Sequence, residues 1–254
     1  MNHPVVSREE WIEARKALLA KEKEWTRQRD ALSAERRALP WVRIDKEYVF
    51  EGPNGRETLG DLFAGRSQLI VKHFMFGPGW QDPCVGCSFE SDNIDGAVIH
   101  LEHHGVSYIA VSRAPYAEIA TVHKRMGWRF RWVSSYGSDF NYDFNVSFTP
   151  EQIASGRAMY NYREGAMPME EMSGRSVFCK DETGAVFHTY SSFARGGEVN
   201  LGAYGLLDAT PEGRNETDRG NLSDWVRLHD RYDTAGHVDP GGRWHAADEE
   251  ECCR

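Results

Sequence analysis

The sequence predicts an α/β protein: a central mixed sheet flanked by helices, with an added long N-terminal helix. Three observations predict it. Between residues 68 and 134, short apolar runs alternate with amphipathic stretches that end at glycine, the pattern of parallel strands joined by crossover helices. "RSVFCKD" and "AVFHTYSS", separated by "ETG", read as a β-hairpin. Trp11, Leu18, Trp25, Leu32 and Leu39 recur every seven residues in an otherwise charged opening segment, as on a long helix with a narrow apolar stripe.

In chain order, residues 7–39 are the expected helix. Ser7 and Glu10 fit a capping box, and Pro40 marks the stop. So narrow a stripe fits a solvated arm pinned by two tryptophans, or a clasp that makes a homodimer. "WVRIDKEYVFEG" alternates as an edge strand does, "GPNG" turns the chain, and "TLGDLFAG" is a short capped helix. "SQLIVKHFMF" reads as a strand buried on both faces. A helix follows through "SFESDNIDGAVIHLEHHG", then the buried strand "VSYIAVS". The helix "PYAEIATVHKRMG" has Pro115 at its start and Gly127 after its end, and "FRWVSS" is a short strand. Residues 136–172 lose the rhythm: apart from one or two helical turns at "TPEQIASG", they read as an inserted loop, and a loop of such length is often functional. The hairpin comes next, then helix and loop to residue 233, and a Gly-, Asp- and Glu-rich tail that reads as mobile.

An antiparallel hairpin closing a βαβ unit is the thioredoxin-type plan. The expected organisation is a helical arm over 1–40, a thioredoxin-like domain over 41–233 carrying the insertion at 136–172, and a flexible acidic tail over 234–254.

The bulk numbers bound the function. With 254 residues, 40% of them hydrophobic and 27% charged, the chain is long enough for one large globular domain with appendages. A net charge of −9 and no basic block argue against nucleic acid as a partner. No apolar run reaches the roughly 18 residues of a membrane span, and the N-terminus lacks the apolar core of a signal peptide. Both point to the cytoplasm. The five cysteines do not form a secreted disulfide framework.

The chemistry centres on "GPGWQDPCVGCSFESDNIDG", residues 77–96. Cys84 and Cys87 lie where a buried strand feeds a helix, the context in which Cys-x-x-Cys is a redox motif. Unpaired backbone N–H groups and the helix dipole there favour a thiolate, so Cys84 is the expected exposed nucleophile and Cys87, one turn on, the resolving thiol. Trp80 and Pro83 could wall the pocket. A metal site and a purely structural pair are the alternatives. Zinc needs further ligands, and only His73, on the buried strand, and His100, His103 and His104, toward the far helix end, stand near in sequence. No metal or cofactor is expected.

Other residues carry weaker signals. Cys179 reads as a small buried residue, and Cys252 and Cys253 belong to the tail. His73 is a core histidine or a base. Asp92 and Asp95 are solvated carboxylates, unless one lies beneath Cys87 and takes its proton. Tyr136, Asp139, Tyr142 and Asp143 line a ligand cleft or pack on themselves. His188 and Tyr190 read as face residues of the hairpin, and Arg195 as an exposed arginine beside a glycine turn.

From about Trp41 to Tyr232 the strings "HFMFGPGWQDPCVGCSFESDNIDG", "VSRAP", "MGWRFRWVSSYGSDFNYDF" and "VFHTYSSFARG" resemble a bacterial family catalogued as domain of unknown function 899. That resemblance implies a thioredoxin-like fold and no established reaction. "TLGDLFAG" with "LIVKHFMF" also looks like the opening of peroxiredoxins, where a cysteine near the helix start attacks peroxide. The departures are specific. Thioredoxins carry an aromatic residue before the first cysteine, where Pro83 stands, and a cis-proline before the hairpin, where "SGRS" has none and Pro168 lies upstream. Peroxiredoxins carry an arginine at that point, as Arg175 does here, and a threonine three residues before their cysteine, where Gln81 stands. The resemblance thus implies Arg175 as a thiolate-stabilising residue, a disulfide or peroxide as substrate and a thiol as electron donor. A thioredoxin-fold protein that only binds a ligand or partner through residues 136–172 is the competing expectation.

Overall fold

The computed structural model describes residues 3–216 and 225–247; Cys252 and Cys253 lie outside the described residues. The chain divides into two units, Met1–Trp41 and Val42–Arg254.

The first unit is one helix of 30 residues, α1 (Arg8–Arg37). Its capping box is complete: the Ser7 hydroxyl accepts the Glu10 N–H at 3.2 Å, and the Glu10 carboxylate accepts the Ser7 N–H at 2.9 Å. Glu9 and Glu10 in the first turn and Arg36 and Arg37 in the last suit the helix dipole. None of its side chains is buried. The Arg8 and Arg29 guanidinium groups instead cover the Trp11 and Trp25 rings.

The second unit runs β1 (Val42–Arg43), β2 (Val49–Gly52), β3 (Gly55–Thr58), β4 (Gln68–His73), α2 (Val85–Asp95), α3 (Val98–His103), β5 (Val106–Ser112), α4 (Tyr116–Met126) and β6 (Arg131–Ser134). It continues with α5 (Phe140–Asp143), α6 (Pro150–Ser155), β7 (Ala158–Tyr160), β8 (Arg163–Gly165), β9 (Gly174–Lys180), β10 (Val186–Phe193), α7 (Gly202–Leu207), β11 (Gly236–Val238) and β12 (Trp244–Ala246). Eight strands form one mixed sheet in the order β1-β10-β9-β4-β5-β6-β2-β3. β4, β5 and β6 are parallel; β9 runs antiparallel beside β4, and β10 antiparallel beside β9. The central order β10-β9-β4-β5 is the thioredoxin-like arrangement, reached because the hairpin adds to the first parallel strand while the crossover helices cover the faces.

The parallel strands read as unbroken apolar runs because both faces are covered. Leu69 and Val71 of β4, Ile109 and Val111 of β5, Phe178 of β9 and Phe140 fill one face. Tyr108 and Ala110 of β5 pack with Cys87 and Phe89 of α2 and Ile119 and Val122 of α4 on the other. Register neighbours alternate between the two layers, so Lys72 and His73, adjacent in β4, face opposite ways.

Three expectations about segments differ from the structure. The helix expected over 88–105 is two helices, α2 and α3, broken at Gly96–Ala97. The insertion at 136–172 is more than a loop: besides the helical turns expected at α6 it holds α5 and the hairpin β7–β8, with a small core of Val146, Phe148, Ala158 and Tyr160 against Phe193. Its elements span three to six residues, too short to display a period. The described part of the tail is ordered as well. β11 and β12 form a hairpin there, anchored by Trp244 at 5% exposure.

Candidate functional site

After β4 the chain runs through buried Phe74, Met75 and Phe76 and loops back. The Cys84 N–H closes that loop on the Met75 carbonyl at 3.1 Å. Cys84 is thereby the N-cap of α2, with extended φ of −55° and ψ of 128°, and Cys87 lies one turn inside. The N–H groups of Gly86 and Cys87 turn toward the Cys84 sulfur, though neither reaches full capping geometry. Both cysteines are free thiols.

Opposite perturbations separate them. The Cys84 thiol is pulled down to about 7, first by the hydrogen bond from the Cys87 thiol, against the opposing effect of burial; the N–H groups of Cys87 and Gly86 and the Lys72 charge add to it. Cys87 is pushed well up, first by that same hydrogen bond, then by burial and the charge on Cys84. The thiolate therefore settles on Cys84.

Lys72 is the cation beside the pair. It is 3% exposed and forms an ion pair with Glu90, itself 7% exposed, from the second turn of α2. Burial disfavours the Lys72 charge, but Cys87 and Glu90 outweigh it and hold the ammonium protonated. The Asn200 amide donates to the second Glu90 oxygen at 3.2 Å, so the buried carboxylate is doubly engaged.

A cavity of about 190 Å³ opens against both cysteines, Lys72 and Glu90. Its other walls are mostly apolar, chiefly Met75, Pro168, Met169, Met172 and Leu201, with Ser173 and Glu198 among them. Its roof is the turn between β11 and β12. Asp239 shapes this turn by accepting the Arg243 N–H and Nε, both at 2.9 Å, and meeting His245 Nε2 at 3.1 Å. The Gly242 carbonyl accepts the Val85 N–H at 2.8 Å, satisfying one of the four orphan donors at the start of α2. Gly242 has φ of +80°, which favours glycine, and a Cβ there would crowd the Cys84 sulfur at 3.2 Å. Cys84, expected to be exposed, is accordingly 7% exposed. The hairpin responsible lies more than 150 residues further along the chain, beyond the reach of any local motif.

The other expected site residues are placed as follows. Pro83 is buried directly before Cys84. Trp80 packs beside the cavity, with its ring under the Arg243 guanidinium at 5.0 Å and its Nε1 donating to Glu170 at 3.3 Å. Tyr136 is 63% exposed, Asp139 pairs with Lys46 at 2.8 Å, and the Tyr142 ring lies under Arg113 at 4.9 Å. None of these three lines the dithiol cavity; the downstream end of the same insertion, Pro168, Met169 and Met172, does. Asp143 is held below the usual carboxylate range by Lys46 and Tyr48, against burial. Arg175 is the register partner of Lys72 across β4 and β9, but it donates to the Ser192 hydroxyl at 3.3 Å and lines a separate cavity. Lys72 holds the place beside the thiols that Arg175 was expected to take.

Asp92 and Asp95 are committed elsewhere. Asp92 accepts Trp128 Nε1 and meets His229 Nδ1, both at 2.7 Å, while Asp95 accepts the Arg129 N–H at 2.6 Å and its Nε at 2.9 Å. Glu90 is the helix carboxylate on the cavity. His73 faces the opposite layer, bonded through Nε2 to Ser176 at 2.8 Å, and burial with nearby Lys72 lowers it to about 3, leaving it neutral. Ser176 continues through Ser191 to His188, a polar chain inside the core. Arg195 pairs with Glu198 at 2.7 Å, and Cys179 is partly buried in β9. Among the described residues no three metal-binding side chains converge, and no helix is long and apolar enough to cross a membrane.

Sheet order and dithiol placement together define a thioredoxin-like protein. The chain belongs to the family described as "Bacterial protein of unknown function (DUF899)", whose profile matches residues 1–232. No curated protein matches it. Among solved structures it is similar to peroxidoxin BcpB from Mycobacterium tuberculosis, at 13% identity over 65% of this chain and 97% of that one, with a TM-score of 0.41. It is also similar to a PrxQ variant from Xylella fastidiosa, at 14% identity over 63% and 88%, TM-score 0.39. A peroxiredoxin Q variant from Xanthomonas campestris gives 15% identity over 62% and 90%, TM-score 0.39.

Proposed function

We propose that the protein is a thiol oxidoreductase that reduces a small oxidised molecule, a hydroperoxide or a low-molecular-weight disulfide, with Cys84 as nucleophile and Cys87 as resolving thiol. The observation that carries this reading is the opposite perturbation of two hydrogen-bonded thiols at a helix N-terminus, beside a cavity with mostly apolar walls. A small substrate follows from the roof: with Cys84 7% exposed beneath Gly242, a folded protein's disulfide does not reach the sulfur.

With a hydroperoxide, the Cys84 thiolate attacks the terminal oxygen. An S–O bond forms, the O–O bond breaks, and the alkoxide leaves and takes up a proton. The Cys87 sulfur then displaces hydroxide from the sulfenic acid; the new S–S bond forms, and the Cys87 proton leaves with that hydroxide as water. With a disulfide, the same thiolate forms a mixed disulfide that Cys87 resolves. The substrate gains two electrons in either case, and an external thiol donor returns them to the pair. Lys72 stabilises negative charge as it passes between the sulfurs. A mechanism built on a free dithiol suits the cytoplasm, where thiols are kept reduced.

The test is a thiol titration after exposure to cumene hydroperoxide or hydroxyethyl disulfide. The titre falls by two in the native protein, is restored by dithiothreitol, and does not fall in Cys84→Ser. Cys87→Ser accumulates a Cys84 sulfenic acid that dimedone traps. An unchanged titre with both oxidants would rule the proposal out.

A further inference from the structure

A second cavity, of about 250 Å³, lies between the sheet and the end of α2. Ile70, Ile94 and Leu101 give it an apolar side; Tyr108, Arg175, Asn93 and Asn200 give it a polar one. The polar side is unbalanced. Asn93 is committed at both ends, accepting the Ala203 N–H at 2.9 Å and donating to the Phe89 carbonyl at 2.8 Å, and Asn200 turns its NH2 to Glu90. What is left over is mostly donor capacity. Arg175 makes one hydrogen bond among the described residues, the 3.3 Å contact with the Ser192 hydroxyl, although a guanidinium has five N–H donors. Tyr108 is 5% exposed, and its hydroxyl is buried without a hydrogen-bond partner.

An arginine with unused donors and an unpartnered phenol, facing apolar side chains, match an acceptor-rich head on an apolar body. A carboxylate suits the planar guanidinium fork bidentately. Bare inorganic phosphate fits less well, because half the wall offers its oxygens no donor. We propose that this cavity binds a small carboxylate with a short apolar tail, its head paired with Arg175 and Tyr108 and its tail against Ile70, Ile94 and Leu101. The proposal stands without the redox reading, since neither of the two polar groups is a thiol or lines the dithiol cavity.

Isothermal titration of the full chain with sodium hexanoate tests it, with 1-hexanol and inorganic phosphate as comparison probes. Hexanoate is expected to bind at one site per chain, and each comparison probe at least about tenfold more weakly, because each lacks one half of the match. Arg175→Met weakens hexanoate by about tenfold or more, and Tyr108→Phe weakens it severalfold. Ala97→Trp, which plugs the exposed rim of this cavity, abolishes binding, and it carries the test should Arg175→Met fail to fold. Alkylation of Cys84 leaves the hexanoate affinity unchanged. The proposal is overturned if the native protein does not bind hexanoate, if phosphate or hexanol binds as well, if Ala97→Trp still binds it, or if blocking Cys84 removes the binding.

Discussion

At Cys84 several influences converge on one sulfur, and they are separable. The hydrogen bond from Cys87 is the largest and the Lys72 charge a smaller one. The rate of iodoacetamide alkylation of Cys84 against pH is therefore expected to have a midpoint near 7. Cys87→Ala moves that midpoint up further than the double variant Lys72→Met, Glu90→Gln, which removes both buried charges and strands neither. The reverse order would show that Lys72, not the neighbouring thiol, sets the pKa. Stability follows the same group. The folded value of about 7 lies below the ordinary value of 9.0, so the stabilisation is fully present above about pH 9 and is lost as pH falls through 7. Cys87, raised in the fold, works the other way, but only as pH climbs past the ordinary value of 9.0 at the top of this window. The thermal midpoint of the reduced protein is expected to rise between pH 7 and 9, and that rise is absent in Cys84→Ser.

At the scale of elements, the β11–β12 hairpin decides who reaches the sulfur. A chain ended at Asp233 loses the roof and the acceptor for the Val85 N–H, and its Cys84 is expected to alkylate at least about tenfold faster, the effect of removing about 1.4 kcal/mol of local closure. Gly242→Val acts in the same direction, because a β-branched residue is strained at φ +80° and its Cβ crowds the sulfur. An unchanged alkylation rate in both would mean that the hairpin does not gate the site. This element also marks where sequence legibility ends. "SQLIVKHFMF" and "VSYIAVS" announced buried parallel strands because unbroken β-branched and aromatic runs have few other solutions. Ser7 with Glu10 and Thr149 with Pro150 announced helix starts through local hydrogen-bond chemistry, and both caps are present. The roof carried no such signal, since Asp239, Gly241 and Gly242 read as ordinary turn residues until the fold brings them to Cys84. Lys72 and Glu90 left a faint one: a lysine inside an apolar strand needs a buried partner, and Glu90 falls on the same helix face as Cys87, three residues on.

At the scale of the molecule, the sheet separates the chemistry from much of the core. The dithiol, Lys72 and Arg175 belong to the α2 side, while Phe140, Phe178 and the His73–Ser176–Ser191–His188 chain belong to the other. Phe140 comes from the insertion that read as a loop, yet it is fully buried and its ring packs within 5.1 Å of those of Tyr48, Phe50 and Phe144. Phe140→Ala is expected to cost about 3–5 kcal/mol in urea unfolding and to leave the Cys84 alkylation midpoint where it was. A small stability loss would make the insertion an ornament on the sheet; a shifted midpoint would mean the two layers are coupled.

The order in which the roof and the sulfur leave the ribosome has its own consequence. Translation at 5–20 residues per second produces Cys84 roughly 10–30 s before the glycines that cover it. Throughout that interval the nascent chain carries a bare sulfur, open to cellular oxidants and to other unfinished chains. Protection waits for the β11–β12 turn, so the sulfur is more open to mispairing before that turn is made than after it.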